Sequence, residues 1–119
     1  MTETCDLASK SCIPCKGGVP PLSESERTAL LVNLPPEWQV EDGHHLICTY
    51  AFRNFKDALA FTNAIGAVAE QERHHPEIIL TWGRVTVRIW THKIDGLTES
   101  DFILAAKVSA LDRPAGLTN

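Results

Sequence analysis

The stretch Glu72–His92, ERHHPEIILTWGRVTVRIWTH, decides the fold. Pro76 biases His75 away from helical angles, so a helix arriving from upstream must end at the histidine pair. Beyond it, Ile78–Trp82 and Val85–Thr91 are rich in β-branched and aromatic residues and are separated by Gly83, the pattern of a strand pair. The second run alternates: Val85, Val87 and Ile89 share one face, and Thr86, Arg88, Trp90 and His92 the other. A helix followed by a tight hairpin is expected, and a connection this short can only join antiparallel strands.

Working outward, the same grammar repeats. Upstream, Asn54 can cap a long helix in which Phe55, Ala58, Leu59, Thr62, Ile65 and Ala69 recur at spacings of three and four, reaching to about Arg73. Before it, Trp38–Val40 and Leu46–Phe52 read as two strands joined through EDGHH, with Gly43 supplying the turn. Earlier still, Ser23 followed by Glu26 is a capping box for a short helix from about Glu24, stopped by Pro35 and Pro36. Downstream, Thr98 with Asp101 three residues on starts an amphipathic helix that ends before Pro114. The order α-β-β-α-β-β-α predicts an α+β domain: one four-stranded antiparallel sheet with three helices packed on a single face.

At 119 residues the length suits one domain with a modest core. We place a Cys-rich leader, expected to be flexible, at residues 1–22, the domain at 23–113 and a tail at 114–119. A composition of 44% hydrophobic and 22% charged residues is that of an ordinary globular protein, so disorder is not the expectation. The formal net charge is -4 and no window concentrates Lys and Arg, which argues against direct nucleic-acid binding. No run approaches the ~18 apolar residues of a membrane span, and the N-terminus lacks signal-peptide character, so a cytoplasmic location is expected.

Cys5, Cys12 and Cys15 fall in the leader, and Cys48 stands alone in an apolar stretch. A disulfide framework does not suit a reducing compartment. The CxxC at Cys12–Cys15 is followed by Gly17, Gly18, Pro20 and Pro21 rather than by the helix that stabilises a redox thiolate. Zinc there would need ligands recruited from His44, His45 or Cys48, so a leader with reduced thiols is the better reading.

The chemistry concentrates at the end of the second helix. His74 and His75 lie where helix carbonyls present partial negative charge to an imidazolium. Glu70 sits one turn before His74 and is expected to hold that ring by a hydrogen bond. His92 closes the last strand, on the same layer if the two halves pack together. Three imidazoles near a carboxylate can donate and remove protons near neutral pH. A metal is the lesser reading, because side chains at adjacent helix positions point about 100° apart and no HExxH motif is present. Histidines at a helix end also satisfy carbonyls without any chemistry, and Asp101 is explained as a capping residue. On these grounds alone, catalysis and a structural role both stay open.

The series Glu70, His74-His75-Pro76, Trp82, His92 and Asp101, with THKIDGLTESDF around its end, resembles the signature of the pterin-4a-carbinolamine dehydratases, bacterial members included. The resemblance spans roughly Gly17 to Leu111 and extends to the Cys-rich leader. It implies a four-stranded antiparallel sheet with three helices on one side, in agreement with the map above. It also implies dehydration of a 4a-hydroxytetrahydropterin to the quinonoid dihydropterin, in pterin recycling for aromatic amino acid hydroxylation, without metal or other cofactor. By position, His74 and His92 would be the acid/base pair, His75 would bind and orient the pterin, and Glu70 would hold His74. Pro76 would shape the loop, Trp82 would pack beside the pocket, and Asp101 would act through its cap. Lys93, directly after His92, departs from the many relatives that carry Asp there.

His44 and His45 follow EDG without a helix end or a proline, so they are read as an exposed turn and left outside the site. Arg88 and Trp90 share a face with His92 and could line the site or a surface between subunits. An open sheet face and edge make a homodimer or homotetramer the expected state, as the family suggests. The rival reading is a non-catalytic binding protein of the same fold, a transcriptional dimerisation cofactor or an enzyme assembly factor; retention of the histidines favours catalysis.

Overall fold

The computed structural model describes residues 7–10 and 20–112. The CxxC at Cys12–Cys15, Cys5 and residues 114–119 lie outside these. Cys48 is buried and forms no disulfide among the described residues.

The elements arise in the expected order: α1 (Glu24–Leu31), β1 (Gln39–Glu41), β2 (His45–Ala51), α2 (Phe55–Glu72), β3 (Glu77–Thr81), β4 (Arg84–Ile89) and α3 (Glu99–Ser109). Local chemistry sets their starts. Ser23 Oγ accepts from the Glu26 N–H at 3.2 Å while Glu26 Oε1 accepts from the Ser23 N–H at 2.7 Å, the expected capping box. The Ser23 backbone contact holds the Glu26 carboxyl below its usual range. Asn54 Oδ1 accepts from the Asp57 N–H at 2.8 Å and opens α2.

The four strands form one antiparallel sheet in the order β1-β2-β4-β3. The chain leaves β2, runs through α2 to β3 on the far edge, and returns as β4 between β2 and β3. This crossover decides where chemistry can collect. Register pairs Leu46 with Ile89 and Glu77 with Arg88, so the start of β2, the start of β3 and the end of β4 lie at one end of the sheet. A bridge between Thr91 and Gly96 closes the loop after β4 and delivers the chain to α3 at that same end.

Leu46, Cys48 and Tyr50 of β2 and Val85, Val87 and Ile89 of β4 are buried on the helix-facing side, against Phe102, Leu104, Ala105 and Val108 of α3. Each large side chain buried there contributes about 1.5–3 kcal/mol. Ser109, the last residue of α3, ties the layers: its Oγ accepts from Trp38 Nε1 at 2.6 Å and lies 3.1 Å from the Tyr50 hydroxyl.

The inward face of α2 differs from the expected stripe. Ala58, Phe61, Ile65 and Ala69 are buried, whereas Phe55 and Leu59 stay largely exposed. Both stripes have helical spacing, and the aromatic contacts choose between them: Phe61 packs on Tyr50 at 4.9 Å and on Phe52 at 5.2 Å between ring centroids. A 3-10 turn at Leu7–Ser9 lies on α3 with Leu7 buried, Lys107 Nζ donates to the Ala8 carbonyl at 2.8 Å, and Lys10 pairs with Glu99 at 3.0 Å.

Candidate active site

Arg73 ends α2 in the left-handed conformation, φ 54 and ψ 38. The His74 N–H then reaches back to the Ala69 carbonyl at 3.1 Å, and the Arg73 N–H to that of Glu70 at 3.3 Å, a Schellman-type termination. This reversal takes His74 off the helical path, and the carboxylate pairing changes with it. The sequence pattern placed Glu70 on His74; instead Glu70 Oε2 lies 2.5 Å from His75 Nε2, and His74 Nε2 lies 2.5 Å from Asp101 Oδ1. The two pairs differ in setting. Asp101 is fully buried, while His75 and Glu70 are both mostly exposed.

Asp101 is more than a cap. Its Oδ2 accepts from the Thr98 N–H at 2.8 Å, which is its capping contact at the start of α3, and from the Thr91 hydroxyl at 2.8 Å. Its Oδ1 holds His74. One buried carboxylate thus joins the end of α2, the residue before His92 and the N-terminus of α3, and all of these contacts are donors to an acceptor-only group. Because the carboxylate can only accept, Nε2 of His74 carries hydrogen, and Nδ1 is the lone-pair nitrogen of the neutral ring.

His74, His75 and His92 line one cleft of about 270 Å³, together with Arg73, Trp90, Thr91 and Lys93. That is close to the lower end of small-molecule sites, roughly 300–1,000 Å³. The His92 ring lies on Trp90, 4.6 Å between centroids, and its side chain has no hydrogen-bond partner among the described residues. Its position comes from the backbone: the Thr91 N–H donates to the Gly96 carbonyl at 2.8 Å and the Asp95 N–H to the His92 carbonyl at 3.2 Å. The cleft therefore offers one imidazole fixed by a buried carboxylate, one tethered at the surface, and one unpartnered. Among the described residues no three His, Cys, Asp or Glu side chains are grouped to hold a metal ion.

Of the other residues singled out, Pro76 follows the pair and leads directly into β3. Trp82 is not brought to the cleft. It sits in the β3–β4 turn, at the opposite end of the hairpin from His75 and His92, and is 68% exposed.

Sequence reasoning missed His44 and His45. Instead of an exposed turn, His45 is 2% exposed and His44 is half-buried. Both rings pack on Trp90, at 5.3 Å for His44 and 5.9 Å for His45. His45 Nε2 lies 2.8 Å from Glu41 Oε1 and 3.3 Å from Arg88 Nε, and His44 Nε2 lies 2.7 Å from Asp95 Oδ1. The two Nδ1 atoms are 3.1 Å apart, so the rings also meet each other. The signal that could have found them is register: the residue before Leu46 falls beside the residue after Ile89, which is Trp90.

A family model described as pterin 4 alpha carbinolamine dehydratase matches residues 20–111. A provisionally named pterin-4-alpha-carbinolamine dehydratase of Rickettsia bellii (strain OSU 85-389) is 56% identical over 111 residues, covering 93% of this chain and 98% of that protein. A similarly named protein of Rubrobacter xylanophilus is 55% identical over 106 residues, covering 89% of this chain and 98% of its own length. Among solved structures, the transcriptional coactivator/pterin dehydratase from Brucella melitensis matches with a TM-score of 0.70 at 35% identity, over 76% of this chain and 96% of that one. The chain belongs to the pterin 4 alpha carbinolamine dehydratase family.

Proposed function

We propose that the protein dehydrates a 4a-hydroxytetrahydropterin to the quinonoid dihydropterin by histidine acid/base catalysis. The observation that carries this reading is the pairing, in one cleft, of an imidazole fixed by buried Asp101 with an unpartnered imidazole at His92. In the reaction the C4a–O bond breaks and the hydroxyl leaves as water after taking a proton. The N5–H proton goes to a base, and its electron pair forms the C4a=N5 bond. Nothing is oxidised or reduced overall, so the step calls for no redox cofactor. His74, whose Nδ1 is its lone-pair nitrogen, takes the N5 proton, and His92 protonates the leaving hydroxyl. His75, tethered to Glu70, orients the pterin. The substrate's chemistry puts the step after a pterin-dependent hydroxylation, and a cytoplasmic setting is part of the same proposal. No described helix is long and apolar enough to cross a membrane.

The Brucella protein's name couples dehydratase with coactivator, which keeps a role in protein binding as a second reading. Ile79 on edge strand β3 and Trp82 at its tip are exposed and suit association of copies into a homodimer or homotetramer.

The test follows the ultraviolet absorbance of freshly generated 4a-hydroxytetrahydropterin with native protein, His74→Ala and buffer. Acceleration that falls roughly 100- to 10,000-fold in the variant supports the reading. A native rate equal to the buffer rate, with folded protein, ends it and favours the binding role.

A further inference from the structure

Arg73 has no part in holding the fold that accounts for its side chain. It occupies a left-handed position, φ 54, which glycine fills without steric cost and which few other residues adopt. Its side chain is exposed and its guanidinium makes no hydrogen bond or ion pair among the described residues. It nevertheless lines the cleft with His74, His75 and His92, and Lys93 adds a second cation on the opposite segment. Among the described residues lining the cleft none is acidic.

Neighbouring carboxylates have partners other than Arg73. Glu70 is held by His75 and Asp101 by His74; Glu72 faces Lys107 at 3.7 Å, Glu77 faces Arg88 at 2.6 Å and Asp95 faces His44 at 2.7 Å. The chain as a whole is acidic, with net charge -4, so the cationic rim is a local feature and not a sample of a basic surface. A backbone conformation unfavourable to its residue, at the mouth of a cleft, points to a use for that residue's side chain.

We propose that Arg73 binds an anionic group on the side chain of the pterin, a phosphate or a carboxylate, so that the cleft selects acidic-tailed pterins over neutral ones. This rests on the pterin reading above and adds the substrate class. Guanidinium recognises either anion through two parallel N–H donors. The ring would face the histidines while the tail reaches the rim.

The test uses the full chain and oxidised pterins that cannot react: 6-hydroxymethylpterin, its phosphate monoester and pterin-6-carboxylate, titrated by calorimetry. The expected result is at least one anionic ligand binding roughly tenfold or more tighter than the neutral one, the two acids showing which anion is preferred. Arg73→Gly, which suits the local backbone and so should fold, is expected to bring that ratio to within about twofold. Equal affinities in the native protein, no binding of any ligand, or a preference that survives Arg73→Gly overturns the proposal. Turnover of neutral 4a-hydroxytetrahydropterin, run in parallel, separates the two readings. Turnover without anion preference removes only this inference, and anion preference without turnover removes only the dehydratase.

Discussion

Asp101 Oδ1 and His74 Nε2 lie 2.5 Å apart while Asp101 Oδ2 is occupied by the Thr98 N–H and the Thr91 hydroxyl. In Asp101→Asn the amide oxygen must stay toward Thr98, whose backbone N–H cannot reverse its role. The new NH₂ group then faces His74 and forces hydrogen onto Nδ1, the nitrogen assigned as base. The expected result is a kcat lower by about 100- to 10,000-fold with KM changed far less. The stability loss should be about 1–3 kcal/mol, since most contacts of the buried group persist. Steady-state kinetics, urea unfolding and the imidazole nitrogen shifts of His74 check the three parts separately.

The Glu70–His75 contact has the same length but lies in solvent, so it should behave differently. Glu70→Gln is expected to change stability by less than about 0.5 kcal/mol, as for exposed ion pairs, and to leave kcat within about threefold. Its effect should appear in KM, because His75 is assigned to orienting the pterin. Measuring both variants under one set of conditions tests whether burial, rather than distance, sets the worth of each pair.

Tyr50 gives the protein an alkaline limit. Burial pushes its phenol far above the ordinary tyrosine range, while the hydrogen bond with the Ser109 hydroxyl acts the other way. In the unfolded chain this phenol ionises near pH ~10, whereas in the folded protein it stays protonated. The native state then binds one more proton than the unfolded state, so stability falls as pH rises past that point and is fully present below it. The expected slope from this group is about 1.4 kcal/mol per pH unit. Urea unfolding between pH 9 and 11, estimated to bracket the onset, should show Tyr50→Phe losing less stability per pH unit than the native protein.

Several of these features were legible in the sequence for identifiable reasons. Pro76, Gly83 and the Thr98–Asp101 spacing act locally, so they located the end of α2, the hairpin and the start of α3 to within a residue or two. What required tertiary structure was less accessible. The stripe of α2 that turns inward depended on Phe61 meeting Tyr50 and Phe52 across the core. The partner of His74 depended on Arg73 reversing the chain, and a non-glycine residue in that conformation gives no compositional sign. Trp82 matched by spacing, yet its place in a turn put it at the wrong end of the sheet for the cleft. His44 and His45 looked like turn residues because the strand order that sets them beside Trp90 is a long-range property.

That last pair supplies the remaining prediction. His44 reaches from the β1–β2 turn to Asp95, whose backbone N–H holds the His92 carbonyl, so the contact braces the segment that carries His92 from outside the cleft. His44→Ala and Asp95→Ala should each lower kcat by about threefold to thirtyfold, since a small misplacement of a catalytic group is costly, with KM less affected. If the two act through one contact, the double variant should be little worse than either single one. A cycle on kcat then gives a coupling of about 0.6–2 kcal/mol, against none for independent sites. His44→Gln, which can still donate toward Asp95, should recover part of the loss. Additive effects in the cycle, or no recovery with glutamine, would show that the contact does not position His92.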